Sequence, residues 1–337
     1  MERQTSIQHP TFTIYHSLFG VSVQDGGRRG YAALGLPQSG PLDPYAHAAA
    51  NLLLGNAAGA AAVEVVGLGE GASFYCEGGC LVAIAGADLG ATVGDKRIPL
   101  WHTLWLRDGE TLRFSGRTNI VGNGGVAYLA VAGGLELPHY LGSRSAYLGA
   151  AGALPGLAGR YLRDGDVLTV AGGKVQQAGR AWPLDEPGPY PSDTALEIIW
   201  GPHANRLGRS GKAALLAQQW TVAESNRMGM RFAGTPLPAS GGELVSAAVV
   251  RGAVQLPPGG LPIVLGPDHQ TTGGYPIIAV VTQASWPRLG QLLPGDAVCF
   301  HATTLARAQQ QARLIQARLA EMERRLGQAA QPAYAHV

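Results

Sequence analysis

Pro262-Ile263-Val264-Leu265-Gly266-Pro267-Asp268-His269-Gln270-Thr271-Thr272-Gly273-Gly274-Tyr275-Pro276-Ile277-Ile278-Ala279-Val280-Val281 reads as an apolar run, a ten-residue polar loop and a second apolar run. Both runs are short, β-branched and bounded by Gly or Pro, the pattern of buried strands. Runs of the same kind recur at Leu81-Val82-Ala83-Ile84-Ala85, Ala127-Tyr128-Leu129-Ala130-Val131, Val167-Leu168-Thr169-Val170 and Leu196-Glu197-Ile198-Ile199-Trp200. Asp108-Gly109, Asp164-Gly165 and Pro294-Gly295 each precede such a run, as tight β turns do. The chain is therefore read as mainly β with few helices.

Three helices are expected. Asp43-Pro44 supplies an N-cap acid and a first-turn Pro for a helix over Tyr45 to Leu54, with Gly55 as terminator. Lys212 to Gln219 is a shorter candidate. From about Thr304 to Leu326, Leu305, Ala308, Ala312, Ile315, Leu319, Met322 and Leu326 form one apolar seam, with Gly327 as the stop. This C-terminal amphipathic helix is expected to pack on the chain's own barrel.

Composition prunes the function classes. The 337 residues are 46% hydrophobic and 14% charged, with 49 Gly and 22 Pro, as in a folded, turn-rich protein large enough for two or three domains. A net charge of +2, from 25 basic against 23 acidic residues, gives no electrostatic case for nucleic acid or an anionic membrane. Three cysteines make no disulfide framework, and Cys76 and Cys80 lack a second pair at zinc spacing, so no metal site is expected. Met1 to Phe12 has no signal-peptide core and no apolar run approaches the ~20 residues of a membrane helix, so the cytoplasm is the expected compartment. The polar, Pro-rich stretch around Trp182 to Pro191 is the best boundary. It divides the chain into a β-rich lobe with one capped helix (1–175), a linker (176–193), a second β lobe with the terminal helix (194–327) and a tail (328–337).

No Walker A loop, nucleophile elbow, H-E-x-x-H or Met-Lys-Met biotin-attachment sequence is present. Three polar, glycine-rich stretches remain as candidate sites. Gln24 to Asp43 is long for a structureless connection and delivers Ser39 and Asp43 to a helix N-terminus, where free N–H groups could meet an anion; alternatively Asp43 only caps and the glycines only turn. In Ser225-Asn226-Arg227-Met228-Gly229-Met230-Arg231, an extended backbone sets Arg227 and Arg231 about 13 Å apart on one face, flanking a Gly229 gap. Such a pair suits a carboxylate or phosphate, although a solvated, salt-bridged face reads equally well. The third stretch is the opening loop, where Asp268, Gln270, Thr271 and Thr272 gather an acid, an amide and hydroxyls beside glycines that allow close approach.

Taken in order, these stretches resemble the biotin-dependent carboxyltransferase-like family, also called the allophanate hydrolase subunit 2 family. The resemblance rests on Gln24-Asp25 with Gly30-Tyr31, Ser39 to Asp43, Asn51 to Asn56, Glu64 near Gly67, and Ala85 to Asp88. It continues through Ala130 to Gly134, Ser225 to Arg231, Gly252 to Pro257, Gln270 to Pro276, and Gln291 with Pro294-Gly295-Asp296, covering about residues 13–300. Gly27, Met230 and Phe232 depart from the commoner pattern without touching a charged position.

The resemblance implies cyclophilin-like β-barrel lobes and a cleft shared with a related partner chain. It divides function between a free-standing component of ATP-dependent 5-oxoprolinase, opening 5-oxoproline to glutamate, and a carboxyltransferase region of biotin-dependent urea carboxylase. A regulatory partner of a kinase-inhibitor-like protein is a third class. On the first reading Asp268, Gln270, Thr271 and Thr272 are the expected catalytic residues. Ser39, Asp43, Arg227, Arg231, Gln255 and Tyr275 are expected to bind substrate or nucleotide. ATP with Mg is the expected cofactor, at a site shared with a kinase-inhibitor-like B subunit and a lactam-utilisation-type A subunit, with no covalent biotin on this chain.

Overall fold

The computed structural model describes residues 9–15, 20–67, 71–117, 124–149, 154–172, 179–183, 195–238 and 244–329. In the first lobe, a five-stranded antiparallel sheet runs in the order Val21–Gln24, Ala62–Val66, Val126–Val131, Cys80–Gly86 and His102–Leu106. One face packs on a six-stranded sheet built around Thr11–Tyr15, Ala72–Glu77 and Thr111–Phe114, with Phe12, Phe74 and Phe114 meeting Val63, Ile84 and Leu129. The other face is covered by helix α1, Pro44–Leu53. Burial on both faces explains why Val126–Val131 is apolar without alternation and fully buried.

The second lobe is a closed seven-stranded barrel in the order Ala195–Trp200, Ile277–Val281, Ala253–Gln255, Ile263–Leu265, Gly229–Ala233, Trp220–Asn226 and Ala297–Ala302. Closure removes the open edges that would otherwise template aggregation. Trp220, Phe232 and Phe300 fill the interior, the two rings of the last pair meeting edge-on at 5.7 Å. The three tight turns fall where expected, and Gly109, Gly165 and Gly295 take the left-handed φ values of 81°, 84° and 91° that a side chain resists.

Helix α2 spans Gly208–Ala217, earlier than the expected Lys212 to Gln219, and a short α3 at Trp286–Gly290 was not foreseen. Helix α4, Leu305–Ala329, carries the expected seam but runs through Gly327, whose terminator role is overturned: a single glycine costs only about 1 kcal/mol in a helix interior. Ile315, Leu319, Met322 and Leu326 pack on the α1 side of the first lobe beside Trp101 and Trp182, and Leu305 is exposed. α4 also meets the Gln283–Ser285 turn of the barrel, so it lies against both lobes and not on the barrel alone. Most of the Pro-rich linker and the tail beyond Ala329 lie outside the described residues.

Candidate functional site

Where the lobes meet, polar side chains form one buried network. The turn between barrel strands Trp220–Asn226 and Gly229–Ala233 carries Arg227, which is 4% exposed. Its Nη1 donates to Glu64 Oε1 at 2.6 Å, its Nε to Asp268 Oδ2 at 2.9 Å, and its Nη2 to the Gly40 carbonyl. Burial opposes the guanidinium charge, yet Asp268 and Glu64 outweigh it and hold the pKa above the ordinary arginine value. Glu64 Oε2 accepts from Tyr128 Oη at 2.7 Å and from Leu42 N at 2.8 Å. Tyr128 is held neutral by burial and by the charges of Glu64 and Asp43, and it accepts from Asp43 N. Asp43 caps α1 with Oδ1, taking Tyr45 N and Ala46 N at 3.0 Å, while Oδ2 accepts from Gln291 Nε2 at 2.6 Å. Such a network is internally satisfied, and removing one member strands a buried charge.

This geometry revises the expected roles. Asp268, expected to be catalytic, is fully buried and its carboxylate accepts from Arg227 and from Leu148 N, so it braces the two lobes. Asp43 fills the first-turn N–H groups of Tyr45 and Ala46 with its own carboxylate, leaving neither for a bound anion. Arg227 and Arg231 do not share a face. Arg227 lies in the hairpin turn fixed by Asn226, whose side chain accepts from Met228 N and Gly229 N, and it points inward. Arg231 stands on the exposed barrel surface 3.5 Å from Glu224. Gly229 is not a ligand gap, because a Cβ there would sit 2.7 Å from the Val264 carbonyl of the neighbouring strand.

The outer part of the loop behaves otherwise. Thr272 and Tyr275 are exposed and Gln270 and Thr271 half-buried, with Thr272–Gly273 pairing to Ala247–Ala248 in a two-stranded ribbon. Beneath it Gln255 is 2% exposed, and its Nε2 has no hydrogen-bond partner among the described residues. A Cβ on Gly273 would lie 2.8 Å from that nitrogen and 3.4 Å from Gln270 Nε2, so the glycine leaves two amides beside open backbone. Gln255, Gln270, Thr271, Thr272 and Tyr275 are thus brought together around Gly273, while Ser39 lies on the other side of the loop, its N–H donating to Pro267 O at 3.2 Å.

Sequence reasoning assigned no role to Glu64, Tyr128, Gln291 or the pair Asp25 and Arg28. Asp25 accepts from Ser143 Oγ, Ser145 Oγ, Gly27 N and Arg144 N, which together outweigh burial and hold its carboxyl below the usual range. Arg28 is 1% exposed and donates to the Tyr140 and Ser145 carbonyls. One signal was available: Glu64 interrupts the apolar run Ala62-Val63-Glu64-Val65-Val66, and a carboxylate at a buried strand position needs a partner.

A sandwich lobe locked to a closed barrel by buried charge, with amides and hydroxyls on an outer loop, defines a two-lobed β protein of the carboxyltransferase-like class. The chain belongs to the family described as "Carboxyltransferase domain, subdomain A and B", whose profile matches residues 34–302. It is 34% identical to the 5-oxoprolinase C subunit of Escherichia coli over 85% of this chain and 89% of that protein. Among solved structures, TTHA0988 matches 89% of this chain at 33% identity with a TM-score of 0.75, and the chain spans 57% of its length. The K. lactis urea amidolyase matches 95% of this chain at 26% identity with a TM-score of 0.82, and the chain spans 20% of its length.

Proposed function

We propose that this chain is the C subunit of an ATP-dependent 5-oxoprolinase, contributing part of a site that opens 5-oxo-L-proline to L-glutamate. The observation that carries the reading is the near end-to-end match to the E. coli 5-oxoprolinase C subunit, against a match to one fifth of the urea amidolyase. The outer loop supports it chemically. Hydroxyls of Thr271 and Thr272 and the amides of Gln255 and Gln270 are uncharged donors, suited to a lactam oxygen that gains negative charge as the ring opens. Because Thr272 and Tyr275 face outward, the site is completed by a partner surface, that of the kinase-inhibitor-like B subunit, with the lactam-utilisation-type A subunit alongside. ATP with Mg binds at the shared site, and the assembly works in the cytoplasm.

The test is phosphate release by the purified, assembled subunits. Hydrolysis of ATP should depend on 5-oxo-L-proline and be indifferent to urea, bicarbonate, biotin and avidin. Stimulation by the second set and none by 5-oxo-L-proline would move the chain to the carboxyltransferase reading, which the likeness to urea amidolyase keeps as the alternative.

A further inference from the structure

A cavity of about 260 Å³ lies away from the Gln270–Tyr275 loop, between the Gly26–Pro41 stretch, α1, α3 and α4. Arg29, Gln38, Ser39, His47, Arg251 and Trp286 line it, and no Asp or Glu among the described residues does. Arg251 is the unusual member. Its Nη1 and Nη2 donate to the Pro41 and Leu42 carbonyls at 3.0 and 2.7 Å, its Nε has no partner among the described residues, and the guanidinium stacks 4.5 Å above the Trp286 ring. No carboxylate pairs with it among the described residues. Burial, and then the nearby charge of Arg227, pull its pKa down to about 10 against the opposing charges of Glu64 and Asp43, so its charge is present at neutral pH without a direct carboxylate contact among the described residues.

Two further features bear on the same space. The Ser39 hydroxyl is buried without a partner among the described residues, on a residue held at a left-handed φ of 57° that non-glycine residues avoid. His47 gives its Nε2 to the Gln24 carbonyl and is kept neutral by burial, so it adds no competing charge. The site therefore offers the buried Arg251 and the exposed Arg29 at its rim, neither with a carboxylate partner among the described residues, together with a hydroxyl and an aromatic wall. Cavities of roughly 150 Å³ hold benzene, which scales to a ligand of about ten heavy atoms here.

We propose that this cavity binds a small organic carboxylate with a flat ring or chain, its carboxylate against Arg29 and Arg251 and its apolar part against Trp286. The electrostatic need and the size set this class without reference to the 5-oxoprolinase reading; only the choice of 5-oxo-L-proline as one probe rests on that reading. Titration calorimetry of the full chain should use 5-oxo-L-proline and 2-furoate as carboxylates, 2-pyrrolidinone as the neutral ring, and inorganic phosphate. At least one carboxylate should bind at least tenfold more tightly than 2-pyrrolidinone. Ser39→Ala and Arg29→Gln should each weaken that binding at least fivefold. These positions are chosen because Arg251 also ties two carbonyls of the first lobe, and its replacement could unfold the protein; a thermal melt of each variant checks that the fold is kept.

Carboxylates that bind no better than 2-pyrrolidinone, phosphate binding alone, or unchanged affinity in both variants would overturn the proposal. A chain that binds 2-furoate through Ser39 and Arg29 but ignores 5-oxo-L-proline supports the cavity and counts against 5-oxoproline as its ligand. The ATP-hydrolysis assay of the assembled subunits tests the enzymatic reading separately.

Discussion

Arg227 shows what a single side chain does here: it joins Glu64, 163 positions away, to Asp268, 41 positions away, inside the protein. Arg227→Lys keeps a charge but loses the fork that serves two carboxylates and a carbonyl, so it should destabilise the fold by about 3–5 kcal/mol, read from urea denaturation. Arg231→Lys, on the exposed surface, should move stability by less than about 0.5 kcal/mol. Thr272→Val is the contrasting case. It removes an exposed hydroxyl without touching the core, so the urea midpoint should stay while turnover in the assembled complex falls by roughly 10²-fold if that group meets the oxyanion. Unchanged turnover would leave Thr272 as a brace for the Gly273-Gly274 turn. Asp25 predicts a pH effect. Its folded pKa lies below the unfolded value of about 3.9, so its stabilisation is fully present above that value and is lost as pH falls through the folded pKa. Asp25→Asn should accordingly lower the melting temperature at pH 7, and the difference from the wild-type chain should shrink as pH is lowered from about 3.9 through the folded pKa. The residue types of this chemistry were legible in the sequence, and the partners were not. Asp268 beside Thr271 and Thr272 reads as one polar loop, yet the chain turns Asp268 inward to Arg227 and the threonines outward, and nothing local encodes that division.

At the scale of elements, apolar periodicity carried the reading well. Ile277–Val281 and the capped start of α1 at Asp43-Pro44 fall where Gly, Pro and β-branching place them, because local sterics and capping decide them. α4 shows where such reasoning stops. Its seam of Ile315, Leu319, Met322 and Leu326 was visible, but the surface it covers was not, since a seam specifies an apolar partner and not which one. The short α3 escaped because five residues, Trp286–Gly290, are too few for a helical period to emerge. The docking of α4 can be tested in the same terms. Met322, 3% exposed against the α1 side, should cost about 2–5 kcal/mol when changed to Ala, whereas Leu305→Ala, at the 59% exposed start of the helix, should cost less than about 0.5 kcal/mol. Equal effects at the two positions in thermal melts would mean that the seam does not anchor the helix.

For the whole molecule, the decisive feature is how the two lobes share polar partners. Besides Arg227, the first lobe's Arg117 makes a two-pronged pair with Asp296 of the barrel at 3.1 and 2.6 Å, and Gln291 accepts from Gly125 N and Val126 N at 3.0 Å. Arg251 holds the Pro41 and Leu42 carbonyls, and α4 lies across both lobes. Each of these contacts is lost if either lobe opens, and the charged groups left behind would face an interior that solvates them poorly. The lobes should therefore unfold as one cooperative unit, although each has its own apolar core. Hydrogen exchange along a urea series resolves the two directly: amides of Val126–Val131 and of Ile277–Val281 should lose protection at the same urea concentration. Arg227→Ala strands Glu64 in one lobe and Asp268 in the other, which weakens the coupling as well as the stability. In that variant the two strands should lose protection at different urea concentrations, the lobe that is less stable alone opening first. Separate transitions in the wild-type chain would mean that the buried network is a contact between independent domains. A single transition at an unchanged midpoint in Arg227→Ala would place the coupling in α4 and the remaining interlobe contacts.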